Sequence, residues 1–262
     1  MLELARYEAR RRLRGTVYLT VALTLLAGMY IATFPSLATD VDLDQFIDQM
    51  PEVFRELFNI ATMNTIEGFL SAELYSIGWV LLLGLYVAYS AATLIASDID
   101  RERMDILLSL PMSRARVLGE KFLALLVPIV VVNAVLPLVI YVGTIVIGYP
   151  IDPVNLAVVH LLAIPYLLAC GGIGLVLSVV TSRSTIAQRG ALVAIFGLFL
   201  FESLTVIADY EQLGAIAPMR YFDATAVLVD GSYDWAGGAI LLGGTVLLVG
   251  ASMLYFRRRD ID

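Results

Sequence analysis

The chain has 262 residues, of which 60% are hydrophobic and 16% charged, and its formal net charge is -7. Soluble domains carry about 25% charged residues, so this composition supplies too little polar surface to cover a water-soluble globule of this size. It excludes an ordinary soluble protein and predicts an all-α integral membrane protein with one membrane domain over residues 1–262.

Six apolar, almost uncharged runs have the length that a membrane-crossing helix requires. A bilayer core of about 30 Å needs about 20 apolar residues in helical form, because every backbone polar group must be paired within the segment. The predicted spans are approximately residues 16–34, 74–96, 122–147, 156–180, 191–207 and 236–256. An even number of spans places both termini on the same side of the membrane.

The basic residues predict which side that is. Lys and Arg are retained in the cytoplasmic flanks of membrane helices. Fifteen of the seventeen basic residues fall in the N-terminal arm, the loop between spans 2 and 3, the loop between spans 4 and 5, and the C-terminal tail. Only Arg55 and Arg220 fall in the other loops. We therefore expect a multi-pass protein of the cytoplasmic membrane with both termini in the cytoplasm.

Two segments outside the spans have amphipathic patterns. Residues 1–14 intersperse apolar side chains among arginines, which predicts an interfacial helix on the inner leaflet. Residues 44–60 repeat apolar side chains at helical spacing, with acids on the other face. They predict an amphipathic helix on the outer surface, between spans 1 and 2.

The predicted outer loops are rich in Asp and Glu, and the chain has sixteen Arg but a single Lys. One interpretation is a protein from a salt-adapted organism, whose exposed surfaces are acidic. The other is that the carboxylates recruit a cation or a basic substrate, although no calcium-loop spacing is present and no metal site is predicted. The last outer loop, residues 208–234, is too interrupted by Gly and Pro to cross the membrane and predicts a re-entrant or surface helix.

The loop between spans 2 and 3, residues 97–121, is charged at both ends and apolar in its centre. Residues 104–110 predict a short amphipathic helix that ends at Pro111. Such a stiff element fits a groove on a partner protein. It is equally compatible with a solvated connector whose apolar side chains rest on lipid headgroups.

Two short strings resemble those of ABC-2 type transporter permeases. The first is D-I-L-L-S-L-P-M-S-R at residues 105–114, followed by G-E-K at residues 119–121, and the second is the ending F-R-R-R-D-I at residues 256–261. The six-span topology and the basic N-terminal arm are similar to that family as well. One departure is that many members carry Gly-Thr where this chain has Glu102 and Arg103.

The resemblance implies the permease subunit of an ATP-binding cassette exporter, which works as a homodimer or a heterodimer with a similar chain and with separate ATPase subunits. The loop would be a cytoplasmic coupling helix that contacts the ATPase through Arg101, Glu102, Asp105, Leu108, Pro111 and Arg114. No G-x-x-x-x-G-K-[ST] motif occurs, so ATP and Mg²⁺ are expected on the partner subunit, and this chain is not expected to be an enzyme. No nucleic-acid partner is expected.

Few polar residues fall within the predicted spans. Glu202 is the one ionisable residue in the middle of a span, so we expect it to be protonated, turned to a helix interface or near the outer boundary. A substrate or proton-carrying role is the other possibility. Asn133, between Pro128 and Pro137, is interpreted first as a packing residue, and His160 as an interfacial one.

Two other functions remain open from the sequence. An intramembrane enzyme would need paired catalytic groups at membrane depth, and one His, one Cys and one mid-span carboxylate do not supply them. A non-transporting membrane partner of an ATPase, of the kind that serves copper-enzyme maturation among similar proteins, would use its acidic outer segments to hold another protein.

Overall fold

The fold was analysed in a computed structural model, which describes residues 2–40, 49–51, 54–55, 62–104, 112–207 and 210–259. These residues form helices and connecting turns and no strand. Six of the helical segments within them are long and apolar enough to cross a membrane. The predicted all-α fold with six spanning helices is confirmed, and the exact ends of the helices differ from the prediction.

The first helix, α1, runs without interruption from Glu3–Asp40. The sequence predicts an interfacial helix over residues 1–14 and a separate span over residues 16–34, and the structure joins the two into one. At 1.5 Å per residue, 38 residues extend for about 57 Å, well beyond the bilayer core. The arginine-rich first turns are therefore a rigid extension of the first span. The predicted outer helix, residues 44–60, lies mostly outside the described residues.

The second spanning helix, α2, occupies Ile66–Ala91 and starts about eight residues before the predicted span. Thr65 caps it by accepting a hydrogen bond from the Gly68 N–H at 3.2 Å. Its middle section, Ser71–Leu83, is π-helical, whereas the flanking sections are α-helical. A π-helix of 13 residues is unusual, since most are single-turn bulges at functional sites. The section holds the buried Tyr75 and Trp79.

The third predicted span is built from two helices in close succession. A short helix, α3, covers Ala96–Asp100, and the loop is from here on the segment between α3 and α4, residues 101–113. After the loop, α4 covers Arg114–Leu123 and α5 covers Leu126–Val146. Ser113 caps α4 by accepting the Arg116 N–H at 3.3 Å. Of the predicted coupling helix, residues 104–110, only Met104 is described, and the rest lies outside the described residues.

The remaining spans are α6, Pro153–Val180; α7, Ser184–Ile207; and α9, Trp235–Arg258. Asp152 and Asp234 cap α6 and α9 with side-chain oxygens at 2.7 Å from the Val154 and Gly237 N–H groups. Between α7 and α9, the structure has the 3₁₀ turns Glu211–Ile216 and Pro218–Tyr221 and the helix α8, Ala224–Leu228. This segment does not span, as predicted, but it is a series of short turns instead of one re-entrant helix.

Helix α6 is the centre of the bundle. It packs against α2, α5, α7 and α9, and 67% of its most apolar stretch is buried, against 22% for α1 and for α9. Small residues permit this packing, because a Cβ at Gly174 would overlap the Ala88 carbonyl of α2. Helix α1 packs on α5 and α4 at one edge of the bundle, and α9 packs on α6 and α4.

Contacts between side chains and backbone bring four segments to one end of the bundle, which we call the basic end. They are the first turns of α1, the residues on either side of the loop, the connection from α6 to α7, and the last turn of α9. These are the four segments that carry most of the arginines. The structure thus confirms that the basic segments are gathered together, and their cytoplasmic location stays a prediction.

We predict that Gly174→Ala lowers the free energy of unfolding by about 1–3 kcal/mol, because the added methyl group forces α2 and α6 apart. The measurement is thermal unfolding of the purified chain in detergent. Gly197→Ala on α7 is the matched control, since a Cβ there meets nothing within 4 Å. Equal stability of the two variants would contradict the close approach of α2 and α6.

Candidate functional site

The residues at the two ends of the loop are the first candidate for function. Of the six predicted ATPase contacts, Asp105, Leu108 and Pro111 lie outside the described residues. Arg101 and Glu102 are exposed on the first end. Met104, which follows them, is 1% exposed and packs in an apolar cluster with Leu118 of α4 and Phe256 of α9. The loop is therefore anchored at Met104, and its charged residues remain accessible before that point.

The first end of the loop leaves α3 through a left-handed turn. The Glu102 N–H donates to the Ile99 carbonyl at 3.0 Å and the Arg103 N–H to the Asp98 carbonyl at 2.8 Å, which is the hydrogen-bond pattern of a Schellman cap. Glu102 has φ +53°, the position that glycine usually occupies in this cap. Glu102 thus holds the left-handed conformation that ends α3.

A buried ionic cluster joins the two ends of the loop to α1. The Lys121 ammonium of α4 lies 2.5 Å from Asp98 Oδ2 of α3 and 3.1 Å from Glu8 Oε1 of α1. All three residues are less than 9% exposed. Arg103 adds a second cation, with its guanidinium 2.9 Å from Asp98 Oδ1. Glu8, Asp98 and Lys121 are thus paired in a buried position, whereas the Arg103 side chain is 38% exposed, and the Arg12 guanidinium also interacts with Glu8.

A second contact ties the same elements together. Glu120 of α4 is 3% exposed and accepts the Ala5 N–H of α1 at 3.1 Å and the Arg116 side chain at 2.8 Å. Ala5 is in the first turns of α1, where helix N–H groups have no intrahelical acceptor. Glu120 and Lys121, adjacent in the chain, thus both bind α1. In the sequence, Lys121 is only the last residue of the G-E-K string, and its contacts with α1 were not predicted.

Arg114, the last of the predicted ATPase contacts, is engaged within the chain. Its guanidinium donates to the Phe256 carbonyl at 3.4 Å and to the Arg259 carbonyl, and lies 5.8 Å from the centre of the Phe256 ring. Phe256 is fully buried. Arg114 therefore fixes the start of α4 to the end of α9. If Arg114 also contacts a partner protein, it must do so while keeping these contacts within the chain.

The C-terminal end of α9 in turn holds the end of α6. The Arg259 guanidinium donates to the Val179 carbonyl, to the Thr181 carbonyl at 3.2 Å and to Ser182 Oγ at 2.5 Å. The last carbonyls of a helix lack intrahelical donors, and a cation at that end also complements the helix dipole. The structure thereby gives a physical role to the third arginine of the F-R-R-R-D-I ending.

One further bond connects the α6–α7 turn to the loop. The Ser184 hydroxyl and N–H donate to Asp100 Oδ2 at 2.6 and 3.3 Å. These two hydrogen bonds stabilise the carboxylate and lower the pKa of Asp100 below its usual value. Asp100 is exposed, and the bond holds the α6–α7 turn beside the end of α3.

The profile of the ABC-2 family transporter proteins matches residues 2–261, nearly the whole chain. The chain belongs to this family. It is accordingly a multi-pass membrane component of an ABC transporter. Comparison with curated proteins gives no match.

In this ABC-2 family chain the two strings that carry the sequence resemblance are in contact. Arg114 closes the first string, and Phe256 and Arg259 belong to the second. Arg114 is 142 positions from Phe256 and 145 from Arg259 in the chain, and the three residues form one structural unit beside the loop. The arginines predict that both strings lie at the same end of the bundle, but neither string indicates that Arg114 and Phe256 are in contact there.

The predicted intramembrane polar residues Glu202 and Asn133 are separate from this unit and from each other. Glu202 of α7 is 9% exposed, and its Oε1 lies 3.2 Å from Arg220, one of the two arginines outside the basic segments. The turn after α7 approaches closely, because a Cβ at Gly214 would overlap the Glu202 carboxylate. Glu202 is therefore at a helix interface near the end of α7, as one of the sequence expectations had it, and Arg220 was not predicted as its partner.

Asn133 of α5 is a packing residue in this ABC-2 chain. Its Oδ1 accepts the Trp79 indole N–H of α2 at 3.0 Å, and its Nδ2 donates to the Ile129 carbonyl at 2.9 Å. Both side chains are buried. The bond satisfies the indole and ties α5 to the π-helical section of α2, which agrees with the interpretation of Asn133 as a residue of helix packing.

We predict that Lys121→Met lowers the free energy of unfolding by about 3–5 kcal/mol, since the carboxylates of Glu8 and Asp98 would lose their shared buried cation. Thermal unfolding in detergent measures this. Arg10→Met, at an exposed site on α1, should change stability by less than about 0.5 kcal/mol.

A double variant separates charge from packing at Lys121. Lys121→Met combined with Glu8→Gln leaves Asp98 paired with the Arg103 guanidinium and should recover most of the loss. A single Lys121→Met variant as stable as Arg10→Met would show that the cluster contributes nothing.

We also predict that Arg259→Met lowers the free energy of unfolding by about 1–3 kcal/mol, because the last carbonyls of α6 lose their donors. Amide hydrogen exchange in residues 177–184 should accelerate at the same time. The neighbouring Arg258 is exposed, so Arg258→Met is the control and should alter neither quantity. Unchanged amide hydrogen exchange in Arg259→Met would show that Arg259 does not cap the last carbonyls of α6.

Proposed function

We propose that this chain is the permease subunit of an ABC exporter that forms the translocation path and is driven by a separate ATPase subunit. The family membership supports a membrane component of an ABC transporter. The observation that supports a coupling of the loop to a separate ATPase is the buried cluster of Glu8, Asp98 and Lys121 at the ends of the loop.

The cluster offers a route by which movement of the loop could reach the bundle. Asp98 lies three residues before Arg101, and Lys121 lies seven after Arg114, so both ends of the loop meet at one cation. A displacement of the loop would either break two buried ion pairs or carry α1, α3 and α4 along with it. The second outcome is favoured, because separating buried charges costs several kcal/mol.

The proposal also includes the orientation of the chain in the membrane. The basic end faces the cytoplasm, where positive residues are retained and where an ATPase would be found. ATP and Mg²⁺ bind to the separate ATPase subunit, since the sequence has no phosphate-binding loop. The direction of transport, outward across the cytoplasmic membrane, rests on the resemblance to exporters.

The exposed apolar surface is compatible with a dimer of permease subunits. Only 22% of the most apolar stretch is buried in α1 and in α9, and 33% in α7. These faces must contact lipid or a second permease subunit. We propose a homodimer or a heterodimer with a similar chain on the basis of the family resemblance. The alternative of a non-transporting assembly partner depends on the acidic outer segment, and none of the described residues favours it.

The direct experiment is affinity purification of the tagged chain from its native membrane in mild detergent, followed by mass spectrometry. We expect a soluble ATPase with a Walker motif to co-purify. Reversing two loop charges, Arg101→Glu with Asp105→Arg, should reduce its recovery about tenfold or more, because unlike charges across the interface become like charges.

The controls distinguish loss of contact from loss of folding. Arg183→Glu reverses an exposed arginine of the basic end outside the loop and should leave recovery unchanged. Arg114 is not used, because its contacts with Phe256 and Arg259 make it part of the fold. Absence of any ATPase, or equal recovery with the loop variant, would count against the proposal.

A further inference from the structure

A polar cavity lies at the basic end, beside the buried ionic cluster. It encloses about 220 Å³ between the first turns of α1, the connection from α2 to α3, and α4. Its lining includes Glu8, Arg11, Arg12, Ser97, Asp98 and Lys121. We infer that this cavity binds the phosphate group of an anionic lipid headgroup.

The side chains around the cavity carry more positive than negative charge. The carboxylates of Glu8 and Asp98 already face the Lys121 ammonium, and Asp98 also pairs with Arg103. Among the described residues of the cavity and the cluster, four are cations and two are carboxylates: Arg11, Arg12, Arg103, Lys121, Glu8 and Asp98. The excess of positive charge favours an anion as ligand and disfavours a further cation.

Two arginines have donors that an anion can reach. Arg11 is exposed and makes no hydrogen bond or ion pair with the described residues. Arg12 is half-buried, and its Nη1 donates to Ser90 Oγ at 2.6 Å. The Arg12 Nε is closed off from the surface, whereas Nη2 is not and has no partner in the described part of the chain. A phosphate oxygen can therefore contact Nη2 and the Arg11 side chain without displacing a bond of the fold.

The hydroxyl groups of the lining are already used within the chain. Thr93 donates to the Ser90 carbonyl at 2.8 Å, and Ser97 donates to the Thr93 carbonyl at 2.6 Å. The arginines are therefore the donors that an anion would use, and a guanidinium matches the oxygens of a phosphate in geometry and in charge.

The electrostatic surroundings of Arg12 also favour an anion. Burial removes part of the water around its guanidinium, and the neighbouring Arg11 repels it. Glu8 attracts Arg12 but is shared with Lys121. A phosphate beside both arginines would offset the lost hydration and the repulsion between the two cations.

The cavity lies at the level of the lipid headgroups. Arg12 precedes the first predicted span by four residues, about 6 Å along α1, and Ser97 and Lys121 directly adjoin the ends of the second and third predicted spans. A headgroup layer extends about 5–8 Å beyond the hydrocarbon core. Exposed tyrosines, which are typical of this boundary, occur nearby on three helices: Tyr18 of α1, Tyr89 of α2 and Tyr255 of α9. Lipid phosphates are the anions that are abundant at this depth.

The size of the cavity limits what can enter it. Its volume of about 220 Å³ is below the roughly 300–1,000 Å³ of sites that enclose a whole drug-sized ligand. The cavity can therefore take the phosphate of a lipid while the acyl chains stay in the bilayer. A choline head would bring a second cation toward Arg11, so we expect a lipid with a net negative head.

The inference concerns binding by this chain alone and does not depend on an ATPase or on transport. Native mass spectrometry of the purified chain, with lipid titrated into the detergent, measures the dissociation constant of the first bound lipid. The probes are phosphatidylglycerol and phosphatidylcholine with the same acyl chains. We expect the first phosphatidylglycerol to bind about tenfold more tightly, because its head adds no cation beside the arginines.

Variants show whether the cavity is responsible. Arg11→Met should lower the preference for phosphatidylglycerol from about tenfold to about twofold, the loss of one cation near the membrane surface. Ser97→Phe fills the cavity with both arginines intact and should have the same effect. Arg10→Met removes an exposed arginine of α1 outside the lining, is the matched control, and should keep the full preference.

A competition experiment identifies the source of the phosphate. Free phosphate has no acyl chains to hold it at the headgroup level, so an excess of inorganic phosphate should not displace phosphatidylglycerol. Displacement would assign the cavity to a soluble phosphate and overturn the lipid as its ligand.

Two other results would overturn the inference. One is equal affinity of the wild-type chain for the two lipids. The other is a preference for phosphatidylglycerol in Arg11→Met and Ser97→Phe as large as in Arg10→Met, which would show only a general attraction of the basic end for anionic lipid.

Discussion

The Lys121 side chain is only 5% exposed, and the arrangement of the basic end depends on its charge being balanced. Its ammonium needs carboxylates within contact distance, and it obtains them from two helices far apart in the chain, Glu8 of α1 and Asp98 of α3. Because α4 carries the lysine, these three helices cannot separate without exposing or isolating a buried charge. The loop between α3 and α4 is consequently fastened at both ends to a helix that crosses the membrane.

The other contacts at this end extend the same constraint. Arg114 fixes the start of α4 to the end of α9, and Arg259 fixes that end to the last carbonyls of α6, the central helix. Among the residues that the structure describes, the interior of the bundle is an apolar cluster, within which Asn133 and Trp79 form a polar contact. In this ABC-2 family chain the charged contacts are thus concentrated beside the loop that we propose to meet the ATPase. A displacement at the loop would reach α1, α6 and α9 through hydrogen bonds and ion pairs.

Much of the fold follows from the sequence, since bilayer thickness and the distribution of arginine determine the number of spans and which segments share an end. The helix ends were less predictable: charged residues such as Glu67, Glu73 and Arg189 shortened the predicted runs, yet lie within helices α2 and α7. The π-helical section of α2 has no signature in the sequence. The sequence did not predict the partners of the site residues. Lys121 pairs with Glu8 and Arg114 with Phe256, each more than 100 positions away, and Glu202 pairs with Arg220 in the next connection. The left-handed backbone conformation of Glu102 was likewise not predicted, because a residue other than glycine gives no sign of it in the sequence.

The most direct measurement of the central claim is the movement of the basic end in a complex with the ATPase that we propose. Cys170, the single native cysteine, is fully buried, so spin labels can be attached selectively to Arg10→Cys and Arg101→Cys, or to Arg101→Cys and Val154→Cys. Electron-spin distances would be compared between the ADP state and an ATP state blocked in hydrolysis. We predict that the distance between positions 10 and 101 stays constant and that the distance between positions 101 and 154 changes. A loop that moves relative to position 10, or no change in either distance, would contradict transmission of movement through Lys121.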